Sequence, residues 1–208
     1  MPDTDRPQIY LVTPPVFDAD TFPARLARVL DGADIACLRL ALAGRDTDAI
    51  ARSADALREV AHARDVALVI ETHALLVPRL GLDGVHLTNG AKNIRALRKD
   101  LGSDAIIGAA CGVTRHEGIA AAEAGADYVS FGPVGETGLG DGSLADSALF
   151  DWWSEMIEVP VVAEGALTPD LVARLGPVTD FFAVGEEIWG HDDPLAALRH
   201  LLAPLCTG

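Results

Sequence analysis

The chain alternates between two hydrophobic periods. Short apolar runs read as buried strands: QIYLVT (8–13), IACLRL (35–40), VALVIE (66–71), DGVHL (83–87), AIIGAA (105–110), DYVSFG (127–132), VPVVA (159–163) and DFFAVG (180–185). Between them, apolar residues fall three and four apart, the spacing of one helix face. Examples are FPARLARVL (22–30), DAIARSADALREVAHA (48–63), NIRALRKDL (93–101), TRHEGIAAAEAG (114–125) and TPDLVARLG (168–176). Thr114 with Glu117 and Ser143 with Asp146 have capping-box spacing. Thr168-Pro169-Asp170 combines an N-cap residue, a proline at the first helical position and an anion where the helix dipole favours one. Gly102, Gly125 and Gly176 stand where helices should stop.

Eight strands alternating with helices across short connections, without a break in composition, predict parallel βα units in one domain spanning residues 1–208. A doubly wound open sheet usually has fewer strands, and no G-x-G-x-x-G follows the first one. A (β/α)8 TIM barrel fits better, and 208 residues is near the lower limit for that fold, so the loops must be short. The exception is the Gly-rich GPVGETGLGDGS (132–143) after the sixth strand. Long loops at the C-terminal face of a barrel carry function, although flexible punctuation alone would look the same.

Half of the residues are apolar, and a chain of this size buries roughly 70 % of its surface, enough for a substantial core. No apolar run approaches the ~20 residues that span a membrane. The polar start MPDTDRP (1–7) lacks the features of a signal peptide and reads as a flexible tail. Three scattered cysteines, Cys37, Cys111 and Cys206, lack metal-ligand spacing and suggest reduced thiols in a cytoplasmic setting. Cys37 and Cys111 are expected to pack as small apolar residues. The net charge of −15 argues against nucleic acid and anionic membranes, but not against a small phosphorylated ligand held by a local cluster. The expected partner is a small molecule. A homo-oligomer stays open, with Trp152-Trp153 either packing on the barrel or forming an oligomer contact.

Several segments resemble the thiamine phosphate synthase family, which includes the thiazole tautomerases. They are IYLVTP (9–14), LRL at the end of the second strand, LDGVHL (82–87), IIGAACG (106–112), AAEAGADYVSFGPVGET (121–137), VPVVAEGAL (159–167) and DFFAVGEEIW (180–189). Order and spacing hold over nearly the whole chain. The resemblance implies the same eight-stranded barrel. It also implies a role in thiamine biosynthesis or salvage, with a reaction that joins a pyrimidine methyl pyrophosphate to a thiazole phosphate using Mg²⁺ and releases pyrophosphate. Such chemistry needs a cation and positive donors for the leaving group.

Carried over position by position, the family's ligands are mostly replaced. Its Gln-x-Arg-x-Lys at the second strand is Cys37, Arg39 and Ala41 here. Its Asn-Asp after the third strand is Glu71-Thr72, and its Gly-Gln-x-Asp after the fourth is Thr88-Asn89-Gly90-Ala91, so neither metal aspartate is kept. Its Ser-Thr-His after the fifth is Ala110-Cys111-Gly112, and His116, inside the first turn of the next helix, would need a shifted loop to substitute. Its sixth-loop lysine aligns with Gly140, while Thr137 is retained. Its double glycine after the seventh strand is Gly165-Ala166, preceded by Glu164, and its small hydroxyl segment after the eighth is Glu186-Glu187. No metal or other cofactor is therefore expected, and Glu71 with His73 makes at most two ligands.

The candidate site residues are Arg39, Glu71, Thr137, Glu164, Gly165 and Glu186. Glu71, Glu164 and Glu186 should converge on the mouth, where Arg39 is the only cation and is expected to pair with one or more of them. A carboxylate, either Glu164 or Asp170, should then occupy the backbone N–H groups near Thr168. Alternatively, Glu164 turns outward into a surface pair. His86 reads as a satisfied core histidine. Three functions stay open: a synthase, a divergent enzyme using a glutamate of raised pKa on a neutral or cationic thiamine precursor, and a non-catalytic binder of such a ligand or of a protein.

Overall fold

The computed structural model describes residues 6–44, 46–137 and 142–206. Eight strands form the barrel wall: β1 (Gln8–Val12), β2 (Ile35–Leu40), β3 (Ala67–Glu71), β4 (Gly84–Leu87), β5 (Ile106–Ala110), β6 (Tyr128–Phe131), β7 (Val161–Glu164) and β8 (Phe181–Val184). They pair in parallel in sequence order, and β8 closes against β1, giving the (β/α)8 TIM barrel that the periodicity predicts. The outer layer is α1 (Phe22–Gly32), α2 (Thr47–His62), α3 (Leu76–Leu80), α4 (Ile94–Leu101), α5 (Arg115–Ala124), α6 (Ser147–Met156), α7 (Pro169–Leu175), α8 (Glu186–Trp189) and α9 (Pro194–Leu201). The short α3 and α8 carry too few turns to show a periodicity, and the sequence reading does not contain them. Among the described residues no helix is long and apolar enough to cross a membrane.

Strand alternation divides the apolar residues into two cores. On β2, Leu38 and Leu40 point outward into the large layer between strands and helices, where both are fully buried. Cys37 and Arg39 point inward. Tyr10, Cys37, Val69, Tyr128, Val162 and Ala183 fill the barrel axis as a separate, smaller cluster. Tyr128 fits there because its β5 neighbour in register is Gly108, where a Cβ would overlap the phenol ring.

The helix starts follow local chemistry, with one difference. Thr114 and Thr168 cap α5 and α7, accepting from the N–H groups of Glu117 and Leu171 at 3.3 and 3.2 Å. The start expected at Ser143 lies instead at Asp146, whose carboxylate accepts from Leu149 N–H at 2.9 Å. All three glycines stand just past the last helical residue as expected: Gly102 and Gly125 at φ +89° and +99°, and Gly176 at φ −51°, where α7 passes into a 3-10 turn. A Cβ there would press on Leu205, so that glycine serves a close approach and not a left-handed stop. Of the expected tail, Arg6 and Pro7 line a cavity at the bottom of the barrel beside Trp153, and residues 1–5 lie outside the described set.

Candidate functional site

Arg39 forms the floor of the mouth. It is 5 % exposed, and both of its terminal nitrogens donate to Glu164, the last residue of β7. Nη1 donates to Glu164 Oε2 at 3.2 Å, and Nη2 donates to Oε1 in a short contact. Glu71, the last residue of β3, brings Oε2 to 3.9 Å from Arg39 Nε, and that nitrogen has no hydrogen-bond partner. Arg39 Nη1 also lies 2.8 Å from His86 Nε2. A guanidinium only donates, so Nε2 is the acceptor and the imidazole proton sits on Nδ1. From there it is donated to the Tyr128 hydroxyl at 2.9 Å, and Tyr128 and Tyr10 share a hydrogen bond of 2.5 Å. A polar column thus runs from the mouth down the barrel axis.

Charge and burial set the protonation states. Burial alone would raise Glu164, but the charge and hydrogen bonds of Arg39 hold it down at about 2. Arg39 responds the other way: burial opposes its charge, and Glu164 raises its pKa despite that. His86 falls to about 3, because it is buried and lies against Arg39, and is therefore neutral, as its hydrogen bonds require. Burial raises Glu71; the charge of Arg39 partly offsets the rise, and the Glu164 carboxylate adds to it. Burial also raises both phenols.

Above this floor lies a cavity of about 750 Å³ whose lining, among the described residues, includes Glu71, Glu136, Glu164, Glu186 and Glu187 and no lysine or arginine. Thr137 and Gly165 line it too. Gly165 and Ala166 turn at φ +93° and +51°, and residues 132–135 run alongside. Val134 N–H donates to the Glu164 carbonyl at 3.0 Å, and Gly135 N–H to the Gly165 carbonyl at 3.1 Å. A neighbouring cavity of about 630 Å³ carries Lys92 and Glu117 on its wall.

The structure brings Arg39, Glu71 and Glu164 together, as the vacated family positions suggest, and turns Glu164 inward. Glu186 lines the same cavity, as expected, but from its exposed rim and without an ion pair to Arg39, because β8 ends at Val184 and the chain enters α8 there. The carboxylate that takes backbone N–H groups is Glu187, not Glu164 or Asp170. It accepts from Leu167 N–H at 3.0 Å and from Gly185 N–H at 2.9 Å. Sequence reasoning missed this role, although an acidic residue in the first turn after a glycine is a signal for reaching back to the cap. It also missed Tyr128 as the partner of His86 and Tyr10 as the partner of Tyr128. The sixth-loop position, Gly140, lies outside the described residues.

The family is Mg²⁺-dependent. The donors gathered at the mouth, among the described residues, do not form a site for that ion. Among the described residues no group of three or more His, Cys, Asp or Glu could hold a metal, and the guanidinium of Arg39 stands between Glu71 and Glu164. His73 is turned to its own backbone, with Nδ1 2.9 Å from the Glu71 carbonyl.

Closed parallel strands with polar groups gathered at their C-terminal ends define a (β/α)8 barrel with a small-molecule mouth. The family model for thiamine monophosphate synthase matches residues 9–187, and the chain belongs to that family. It is similar to a thiamine-phosphate synthase of Rhodospirillum centenum, 40% identical over 196 residues that cover 92% of this chain and 94% of that protein. A thiamine-phosphate synthase of Erythrobacter litoralis is 36% identical over 203 residues, covering 94% and 95%. A thiamine phosphate pyrophosphorylase structure from Pyrococcus furiosus shares the fold, with TM-score 0.80 and 22% identity, covering 95% and 94%. This chain's family and these relatives support a role in thiamine biosynthesis.

Proposed function

We propose that the protein binds a neutral or cationic small molecule of the thiamine pathway at its mouth, with Glu71 as the group that exchanges a proton with it. The observation that carries this reading is the disposition of charge: Arg39 is engaged by Glu164, and among the described residues the cavity above has five carboxylates and no basic side chain on its wall. Such a wall repels pyrophosphate and favours a cation or a hydrogen-bond donor. Glu71 borders the cavity, and burial raises its pKa above the usual carboxylate value, the direction that favours a carboxyl group as a proton donor and acceptor. The Arg39–Glu164 pair serves as a fixed floor, and no step involves Mg²⁺.

Thermal shift with thiamine and its unphosphorylated pyrimidine and thiazole fragments, against their phosphates, tests the reading. The unphosphorylated compounds are expected to stabilise the protein and the phosphates to leave its midpoint unchanged. Synthase turnover with Mg²⁺ should be negligible, since loss of a single preorganised donor costs roughly 10²–10³ in rate and several are replaced together. A second reading, ordinary synthase turnover, is favoured by the 40% identity to a protein named thiamine-phosphate synthase. Formation of thiamine phosphate at an ordinary enzymatic rate would establish that reading in place of the first.

A further inference from the structure

In (β/α)8 barrels the loops after the seventh and eighth strands, with a short extra helix, frequently form a phosphate receptor built from backbone N–H groups. This chain has those parts. The β7–α7 turn passes through two left-handed residues, Gly165 and Ala166, and presents Leu167 N–H. The β8–α8 junction presents Gly185 N–H, and α8 is the short extra helix before α9. The two donors come from different loops, yet they converge on one carboxylate. Glu187 Oε1 takes the first at 3.0 Å and Oε2 the second at 2.9 Å, part-buried beside the 750 Å³ cavity. A carboxylate with one N–H on each oxygen is the pattern in which two oxygens of a phosphate would be held.

We infer that Glu187 is a built-in anion that fills this receptor and so sets the specificity of the mouth against phosphorylated ligands. Glu186, next to it and exposed, adds charge to the rim but holds neither N–H. Two adjacent glutamates therefore act differently: one occupies the receptor, and the other only contributes to the local field. The inference rests on the reading of the mouth as a receptor for unphosphorylated ligands and names the residue that enforces it.

The test is a titration with inorganic phosphate and pyrophosphate of the unmodified protein, Glu187→Ser and Glu186→Ser, followed by calorimetry and by the amide resonances of Leu167 and Gly185. Glu187→Ser is expected to bind at least about tenfold more tightly than the unmodified protein, with both amides shifting. Glu186→Ser, which removes the same charge outside the receptor, should gain much less. Equal gains in the two variants, or a folded Glu187→Ser with no gain, would overturn the inference. If Glu187→Ser does not fold, Glu187→Gln removes the charge and keeps an acceptor for one N–H, and it should show a smaller gain at the same amides. Phosphate-induced shifts of these amides in the unmodified protein would overturn the inference without any variant. Synthase turnover without such shifts would instead defeat the reading of the mouth on which it rests.

Discussion

At the scale of single residues, Arg39 decides whether the mouth holds together. Its charge is buried and compensated by Glu164, so removing either partner leaves the other stranded. Arg39→Met should lower stability by about 3 kcal/mol in urea denaturation at neutral pH, and adding Glu164→Leu should recover much of that. An unchanged midpoint in the single variant would show a solvated, unpaired arginine. His86 makes a separate prediction through protons. Its folded pKa, about 3, lies below the ordinary histidine value of 6.5, so between those values the unfolded chain binds a proton that the folded one refuses. Stability should therefore fall as pH drops below 6.5, by roughly 1–2 kcal/mol on reaching pH 5. Glu164, held at about 2, adds its loss only as pH falls below 4.5. Glu71 has the opposite sign: its raised pKa makes stability fall as pH rises from 4.5 through the raised value. His86→Gln keeps an acceptor for Arg39 and a donor for Tyr128, so comparing its pH slope with the unmodified protein's isolates the imidazole. Identical slopes would mean that His86 titrates normally.

At the scale of elements, the barrel depends on which positions of adjacent strands share the axis. Gly108 on β5 faces Tyr128 on β6, and a side chain at the glycine has nowhere to go. Gly108→Ala should cost about 1–3 kcal/mol by overpacking. Gly44→Ala, where a Cβ meets nothing within 4 Å, should stay within about 0.5 kcal/mol. Thermal midpoints of the two variants check the contrast, and similar losses would contradict the packing argument. The strands and their order were legible in the sequence because parallel strands buried on both faces read as continuous apolar runs. That Arg39 would pair with one or more of Glu71, Glu164 and Glu186 was legible too, since a cation among replaced family ligands needs a carboxylate; that Glu164 would be the bidentate partner was not. The column below it was not. Tyr10, His86 and Tyr128 lie on β1, β4 and β6, and only the closed register brings their side chains to one axis. Glu187 escaped for a similar reason, because its partner Leu167 belongs to the preceding βα unit and local spacing says nothing of their meeting.

At the scale of the whole molecule, closing the sheet produces two separate interiors, one inside the strands and one between strands and helices. By chance of sequence each contains a free thiol: Cys37 belongs to the inner cluster and Cys111 to the outer layer, while Cys206 is exposed. Burial, above all, pushes both interior thiols up to about 12, so neither supplies thiolate while its surroundings stay shut. The protein therefore carries its own clocks. A disulfide reagent at neutral pH should consume Cys206 at once and the other two only as fast as their compartments open. If the barrel and its helical coat come apart in one step, Cys37 and Cys111 should react with a single shared rate in mild denaturant. If the coat loosens first, Cys111 should react ahead of Cys37, and mass spectrometry of the labelled chain would time the two openings separately.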